Sequence, residues 1–350
     1  MLEKSKRLML ILLTATMLTG LVISLSGCES EKAPTPTHRR LVVYTSVDQI
    51  YSEAIFKEFE RQTGIGVDAV YDLEANKTTG LINRLLAERE RPVCDVFWNN
   101  EFSQTIRLQK EGVLASYHSP NAFDIPDPYK DADGYWTAFG GRARVMLVNT
   151  ELLAEVDYPS GIYDLLDQRF DAYLIAVANP MFGTTMTQAA ALYAALGPDE
   201  AKTFYTTLKA RNIQVVDGNS VTRDMAAAGQ VAIGFTDTDD AKGAISRNAP
   251  VTMVFPDQQE GGLGTLVCPN TVAKLNGAPH SAEAEEFIDY LLTLEVEKRL
   301  ISEGFFDLSV RNNVDLGGLQ VKGMSVNLYE IYEQLERASA DMREIFGSAN

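Results

Sequence analysis

Two periods of apolar residues alternate along this chain. Leu41-Val42-Val43-Tyr44 is a short β-rich run, and Ile50 to Gln62 follows with Ile55, Phe56 and Phe59 at helical spacing and Gly64 as a stop. Val67–Tyr71 predicts a second strand, Thr79–Glu90 a second helix, Val93–Trp98 a third strand and Phe102–Glu111 a third helix. The succession resumes after residue 141. Strands are predicted over Val145–Val148, Leu174–Ala178, Gln214–Val216 and Val231–Phe235. Helices are predicted over Ile162–Leu166, Thr187–Leu196, Lys202–Ala210 and Met225–Gly229. Thr252–Phe255 and Gly264–Cys268 read as late strands, and Ala282–Glu303 and Leu328–Phe346 as helices. Strand alternating with helix predicts an α/β fold built on parallel sheets.

In open α/β sheets, ligands sit beyond the carboxyl ends of the strands. Those ends are polar here: Thr45-Ser46, Asn99-Asn100-Glu101, Gly183-Thr184-Thr185, Asn219-Ser220 and Asp237-Thr238-Asp239-Asp240. Taken singly, each is an ordinary helix cap or strand end. Together they predict one shared cleft. Capping of a helix near Ala241 needs one or two of the residues from Thr236 to Asp240, not three carboxylates.

The N-terminus adds a location. Lys4, Lys6 and Arg7 precede an apolar run from Leu8 to Leu25, and Leu25-Ser26-Gly27-Cys28 closes it. Charge, apolar stretch and small residues before a Cys read as a lipoprotein signal over residues 1–27, with Cys28 lipidated as the new N-terminus. Residues 28–39, polar and with two prolines, read as a flexible tether. The expectation is a chain lipid-anchored outside the cytoplasmic membrane, in the periplasm or on the extracellular face.

Composition excludes some partners. The formal charge is −17, and removing residues 1–27 (Glu3 against Lys4, Lys6 and Arg7) leaves −19. So acidic a surface argues against nucleic acid. The mature histidines, His38, His118 and His280, have no ligand spacing, so zinc catalysis has no support. No G-x-S-x-G occurs, no His follows a candidate Ser with an orienting Asp, and the histidines lie outside the strand exits, so an enzyme is not expected. Cys94 and Cys268, read as the start and the end of neighbouring strands, are expected buried and unpaired.

The chain resembles the family-1-type extracellular solute-binding proteins of ABC importers, on the ferric-iron and phosphonate-type branch. The likeness rests on Leu41 to Ser46, Phe59 to Ile65, Asp95-Val96-Phe97-Trp98, Gly141-Arg142-Ala143-Arg144-Val145 and Gly218-Asn219-Ser220-Val221, and covers residues 40 to 312. It implies a type II-like two-lobe α/β binding fold with crossing hinge strands. Lobe one would comprise 40–140 plus 262–312 and lobe two 141–261 plus 313–350, with crossings near Gly140–Arg144 and Asp257–Gly264. It also implies an anion-holding loop at Gly183-Thr184-Thr185, assisted by Asn219 and with Arg142 supplying charge. The iron half departs from the family pattern. Thr45-Ser46-Val47-Asp48 stands where such binders place a His, Asn99-Asn100-Glu101 where they place a carboxylate, and Thr238-Asp239 where they carry a tyrosine pair.

What replaces the phenolates is carboxylate, and Asp48, Glu101 and Asp239 are the candidate metal ligands. Three ligands remain open: a ferric ion with an anion, a zwitterion such as an aminoalkylphosphonate, and a phosphorylated small molecule. The function expected is capture of such a ligand by a monomer that needs no cofactor and delivers to an ABC permease and its ATPase. An envelope sensor or interaction protein of the same fold, or a lipoprotein hydrolase, are the alternatives.

Overall fold

The computed structural model describes residues 39–71, 79–311 and 314–347, so the signal segment, Cys28 and residues 28–38 of the expected tether lie outside it. β1 (Arg40–Thr45) runs parallel to β2 (Gly66–Tyr71) on one side and to β3 (Val96–Asn99) on the other. β4 (Leu114–Ala115) precedes β5 (Thr137–Asn149), the longest strand. β6 (Ile175–Ala178) is parallel to β7 (Gln214–Val216) and to β8 (Ile233–Asp237); β9 (Val251–Val254) and β10 (Val267–Leu275) complete the set. The order is β2-β1-β3-β10-β5-β8-β6-β7, with β4 on β10 and β9 on β5.

Parallel pairing therefore holds at both outer ends, while the middle departs from expectation. β10 is antiparallel to β3 and β5, and β5 is antiparallel to β8 and β9. The first part of β5, to Ala143, pairs with β10, and from Arg144 it pairs with β8 and β9. One strand thus belongs to both halves. The late strand expected to end at Cys268 continues through Pro269-Asn270 to Leu275. A register shift between those two residues absorbs the proline, and Cys268 lies near the start of β10 instead.

The helices that flank these strands are α1 (Gln49–Thr63), α2 (Thr79–Ala87), α3 (Ser103–Lys110), α4 (Gly183–Leu196), α5 (Pro198–Ala210), α6 (Asn219–Ala227), α7 (Thr238–Ile245), α8 (Ser281–Leu291), α9 (Leu294–Ser302) and α10 (Leu328–Phe346). α1 buries the predicted Ile55, Phe56 and Phe59, and Phe59 meets Phe287 of α8 edge-on at 5.1 Å. The single helix predicted over 282–303 is two, because Thr293 is extended (φ −71°, ψ 149°) and its hydroxyl accepts the Val296 amide, starting α9 afresh. Ile162–Leu166 is a 3₁₀ helix. α4, α6 and α7 all begin earlier than the apolar period indicates, at Gly183, Asn219 and Thr238. α10 is tied to α4 and α5 through Asp341, which accepts from Tyr193 Oη at 2.7 Å and Lys202 Nζ at 2.8 Å.

Cys94 and Cys268 are both buried and free. Burial lifts the Cys94 thiol well above its usual range and pushes Cys268 to about 12. Among the described residues no helix is long and apolar enough to cross a membrane.

Candidate functional site

A cavity of about 480 Å³ opens where the strands of both halves end. Asp48 and Tyr51 reach it from the start of α1 and Asn100 from beyond β3. Gly141 and Arg142 come from β5, and Asn270 from β10. Thr184, Asn219, Asp237 and Asp239 come from the starts of α4, α6 and α7, while Gly304 and Phe305 follow α9. The wall is polar and of mixed charge.

The starts of α4, α6 and α7 meet at one carboxylate. Asp237 is the N-cap residue of α7 and 5% exposed. Its Oδ2 accepts from Thr184 Oγ1 at 2.6 Å and from Asn219 Nδ2 at 2.9 Å. Its Oδ1 accepts from Arg144 Nη1 at 2.8 Å. Arg144 is fully buried and is the register partner of Asp237 across the β5–β8 ladder. The same Nη1 reaches Asn219 Oδ1 at 3.0 Å, Nη2 donates to the Phe235 carbonyl at 3.3 Å, and the guanidinium lies 4.5 Å from the Phe235 ring centre. A buried charge requires such compensation. Only its Nε lacks a partner.

Arg142 stands two residues earlier on the same face of β5. Its side chain is 25% exposed, and its Nε lies 3.8 Å from Asp237 Oδ2. Asp239 is exposed at the cavity; desolvation there raises its pKa, Arg142 opposes the shift, and Asp237 and Asp307 add to it. Asp240 turns to Arg223, 3.0 Å away, and accepts from Thr236 Oγ1 at 3.3 Å. Oxygen atoms of Asp237, Asp239 and Asp240 lie within 4.8 Å of one another. Asp237 already accepts three donors, so this group is not a free set of metal-ready oxygens.

The opposite wall is ordered by its own hydrogen bonds. Ser46 Oγ donates to Asn99 Oδ1 at 2.6 Å and accepts the Asn100 amide at 2.9 Å. Glu101 caps α3, accepting the amides of Ser103 at 2.6 Å and Gln104 at 2.9 Å. Trp98 Nε1 donates to Asn270 Oδ1 at 3.2 Å, which leaves the amide nitrogen of Asn270 as a donor at the cavity wall.

Of the residues singled out from sequence, Asp48, Asn100, Arg142, Thr184, Asn219, Asp237 and Asp239 line this cavity. Glu101 and Gly183 line a neighbouring space of about 690 Å³ that shares Asn100, Arg142 and Thr184 with it. Thr45, Ser46, Asn99, Thr185 and Thr238 are buried behind the wall, Ser220 is exposed away from it, and Asp240 faces Arg223. Sequence reasoning passed over Arg144, Tyr51, Asn270 and Phe305. Arg144 had a signal: two arginines spaced by two in an apolar strand put both on one face, and the inner one then needs a buried acid.

Behind the crossing strand lies a second network. Thr238 Oγ1 accepts the Ala143 amide at 3.0 Å and donates to the buried Asp307, whose Oδ1 is 2.5 Å from Lys242 Nζ. The Asp307 amide donates to the Gly141 carbonyl at 2.8 Å. The Gly140 amide donates to the buried Glu297, which also accepts from Arg311 Nε at 2.6 Å.

Comparisons with known proteins agree with this architecture. Residues 92–317 match the family of bacterial extracellular solute-binding proteins, and the chain belongs to that family. A putative 2-aminoethylphosphonate-binding periplasmic protein of Salmonella typhimurium is 24% identical over 269 residues, 76% of each chain. Iron uptake protein A1 of Synechocystis sp. is 23% identical over 329 residues, 89% of this chain and 88% of its own. The Trichodesmium protein IdiA (FutA), solved with iron and citrate ligands, superimposes with a TM-score of 0.77 at 21% identity. That match covers 88% of this chain and all of the other. The fold is thus the two-lobe α/β fold of periplasmic binding proteins, and the role is solute binding.

Proposed function

We propose that this chain is the capture component of an ABC importer, holding a small anion-bearing solute in the cavity around Arg142 and passing it to a permease and its ATPase. The observation that carries the reading is Arg142 itself: a partly exposed guanidinium in a polar cavity, beside helix starts that favour negative charge. The named relatives bear on the solute, since a 2-aminoethylphosphonate and a ferric ion with its anion both carry an oxyanion. The cavity walls lie at strand ends on both sides of β5, which fits lobes of 40–140 plus 262–312 and 141–261 plus 313–350 closing on the solute. A lipid anchor at Cys28 would keep the protein near its permease, and capture without turnover requires no catalytic residue.

Between the two named chemistries, the donor set favours the organic anion. No tyrosine pair stands beside Asp239, and the other candidate metal ligands are dispersed. Glu101 is engaged as the cap of α3, and Asp48 belongs to the opposite wall. Native mass spectrometry of protein purified without refolding, followed by calorimetric titration with 2-aminoethylphosphonate, phosphate and ferric citrate, tests this. Bound organic mass and saturable binding of the aminophosphonate, lost in Arg142→Gln, are expected. Stoichiometric iron insensitive to Arg142→Gln would reverse the choice, and no bound solute of either kind would defeat the capture role.

A further inference from the structure

The seat offered to an anion by the starts of α4 and α6 is already filled by the protein itself. Thr184 Oγ1, Asn219 Nδ2 and Arg144 Nη1 all point their hydrogens at Asp237, at 2.6, 2.9 and 2.8 Å. These are the groups an inorganic oxyanion would need, and a buried guanidinium with an N-cap carboxylate is a built ion pair rather than a surface accident. We propose that Asp237 is a tethered counter-anion that closes this seat to free oxyanions and so sets the ligand class of the cleft. A second anion entering there would face the carboxylate at close range, with these three donors already engaged by it. The oxyanion of the solute is thereby directed to Arg142 and the amide nitrogen of Asn270, while the Asp239 carboxylate in the same cavity favours a cationic group. The class selected is a small zwitterion, an organic anion bearing an ammonium, in preference to inorganic phosphate. This rests on the capture role proposed above.

The test is anion rescue. In mature wild-type protein, millimolar inorganic phosphate is expected to leave the Tm unchanged. Asp237→Gly removes the tethered carboxylate and leaves its seat open, so its Tm should fall and then recover saturably with phosphate or formate. Choline chloride at matched ionic strength should not restore it. Should that variant fail to fold, Asp237→Ser, which keeps an N-cap hydroxyl, carries the same comparison. Phosphate stabilisation of the wild type that disappears in Thr184→Val would overturn the proposal, as would a folded Asp237 variant indifferent to every anion. The wild-type titration decides alone if neither variant folds. Failure of the capture role is separable, because it would show as wild-type protein without solute while the anion rescue still held.

Discussion

At Asp240, burial and two neighbouring carboxylates act in one direction. Desolvation raises its pKa to about 6, Asp239 and Asp237 push the same way, and Arg223 and Thr236 pull back. A carboxyl raised in the folded state binds more protons there than in the unfolded chain between its ordinary range and about pH 6. Its charge therefore costs stability at neutral pH, and that cost is relieved as the pH falls through 6. Asp240→Asn should accordingly be more stable than the wild type at pH 7.5, with the advantage vanishing near pH 4. Paired thermal unfolding across that range measures the difference; a constant offset would mean that the lost Arg223 bond, not the titration, governs the site. At this scale the sequence was half legible. It marked the polar strand ends, because polar residues in apolar surroundings stand out. It could not say which face the cavity and which, like Ser46 and Asn99, are consumed bonding each other, since that depends on strands far apart in the chain.

Elements are positioned by a few backbone exceptions, and Gly140 is the sharpest. It sits in β5 at φ +49°, where a Cβ would lie 2.1 Å from the Phe306 ring, and its amide serves the buried Glu297. Gly140→Ala should cost about 1–2 kcal/mol for the left-handed backbone and about 1–3 kcal/mol for overpacking. Urea unfolding would measure it, and a loss below about 1 kcal/mol would mean that Phe306 moves aside freely. The helix starts explain why the element reading ran late at α4 and α6. Their first turns are Gly-Thr-Thr and Asn-Ser-Val-Thr, polar because they meet the cleft, so an apolar period begins only a turn later. The error and the site share one cause. By contrast α10 lies where the apolar pattern places a helix, near Leu328 to Phe346; its start carries an Asn327–Glu330 capping box, and its apolar stripe is buried on a single face.

For the whole molecule, the order of strands carries the last expectation. β5 is continuous through both halves of the sheet, whereas the return path between β9 and β10 runs through turns from Asp257 to Gly264. Asp257 has φ +60°, and its carboxylate accepts the Ile162 amide at 3.0 Å. One stiff and one irregular connection is an arrangement that lets two bodies rotate about a short axis, with small φ/ψ changes confined to the crossing. If solute bridges Asp48 and Asn270 on one side to Arg142 and Asp239 on the other, its binding energy is available only in the closed form, and binding shifts the population toward closure. A saturating solute should therefore lower the radius of gyration in small-angle scattering. Arg142→Gln should abolish that change while leaving the solute-free curve as it was. A solute that binds tightly with no compaction would show that the cavity is preformed, and that β5 and the 257–264 path are struts instead of hinges.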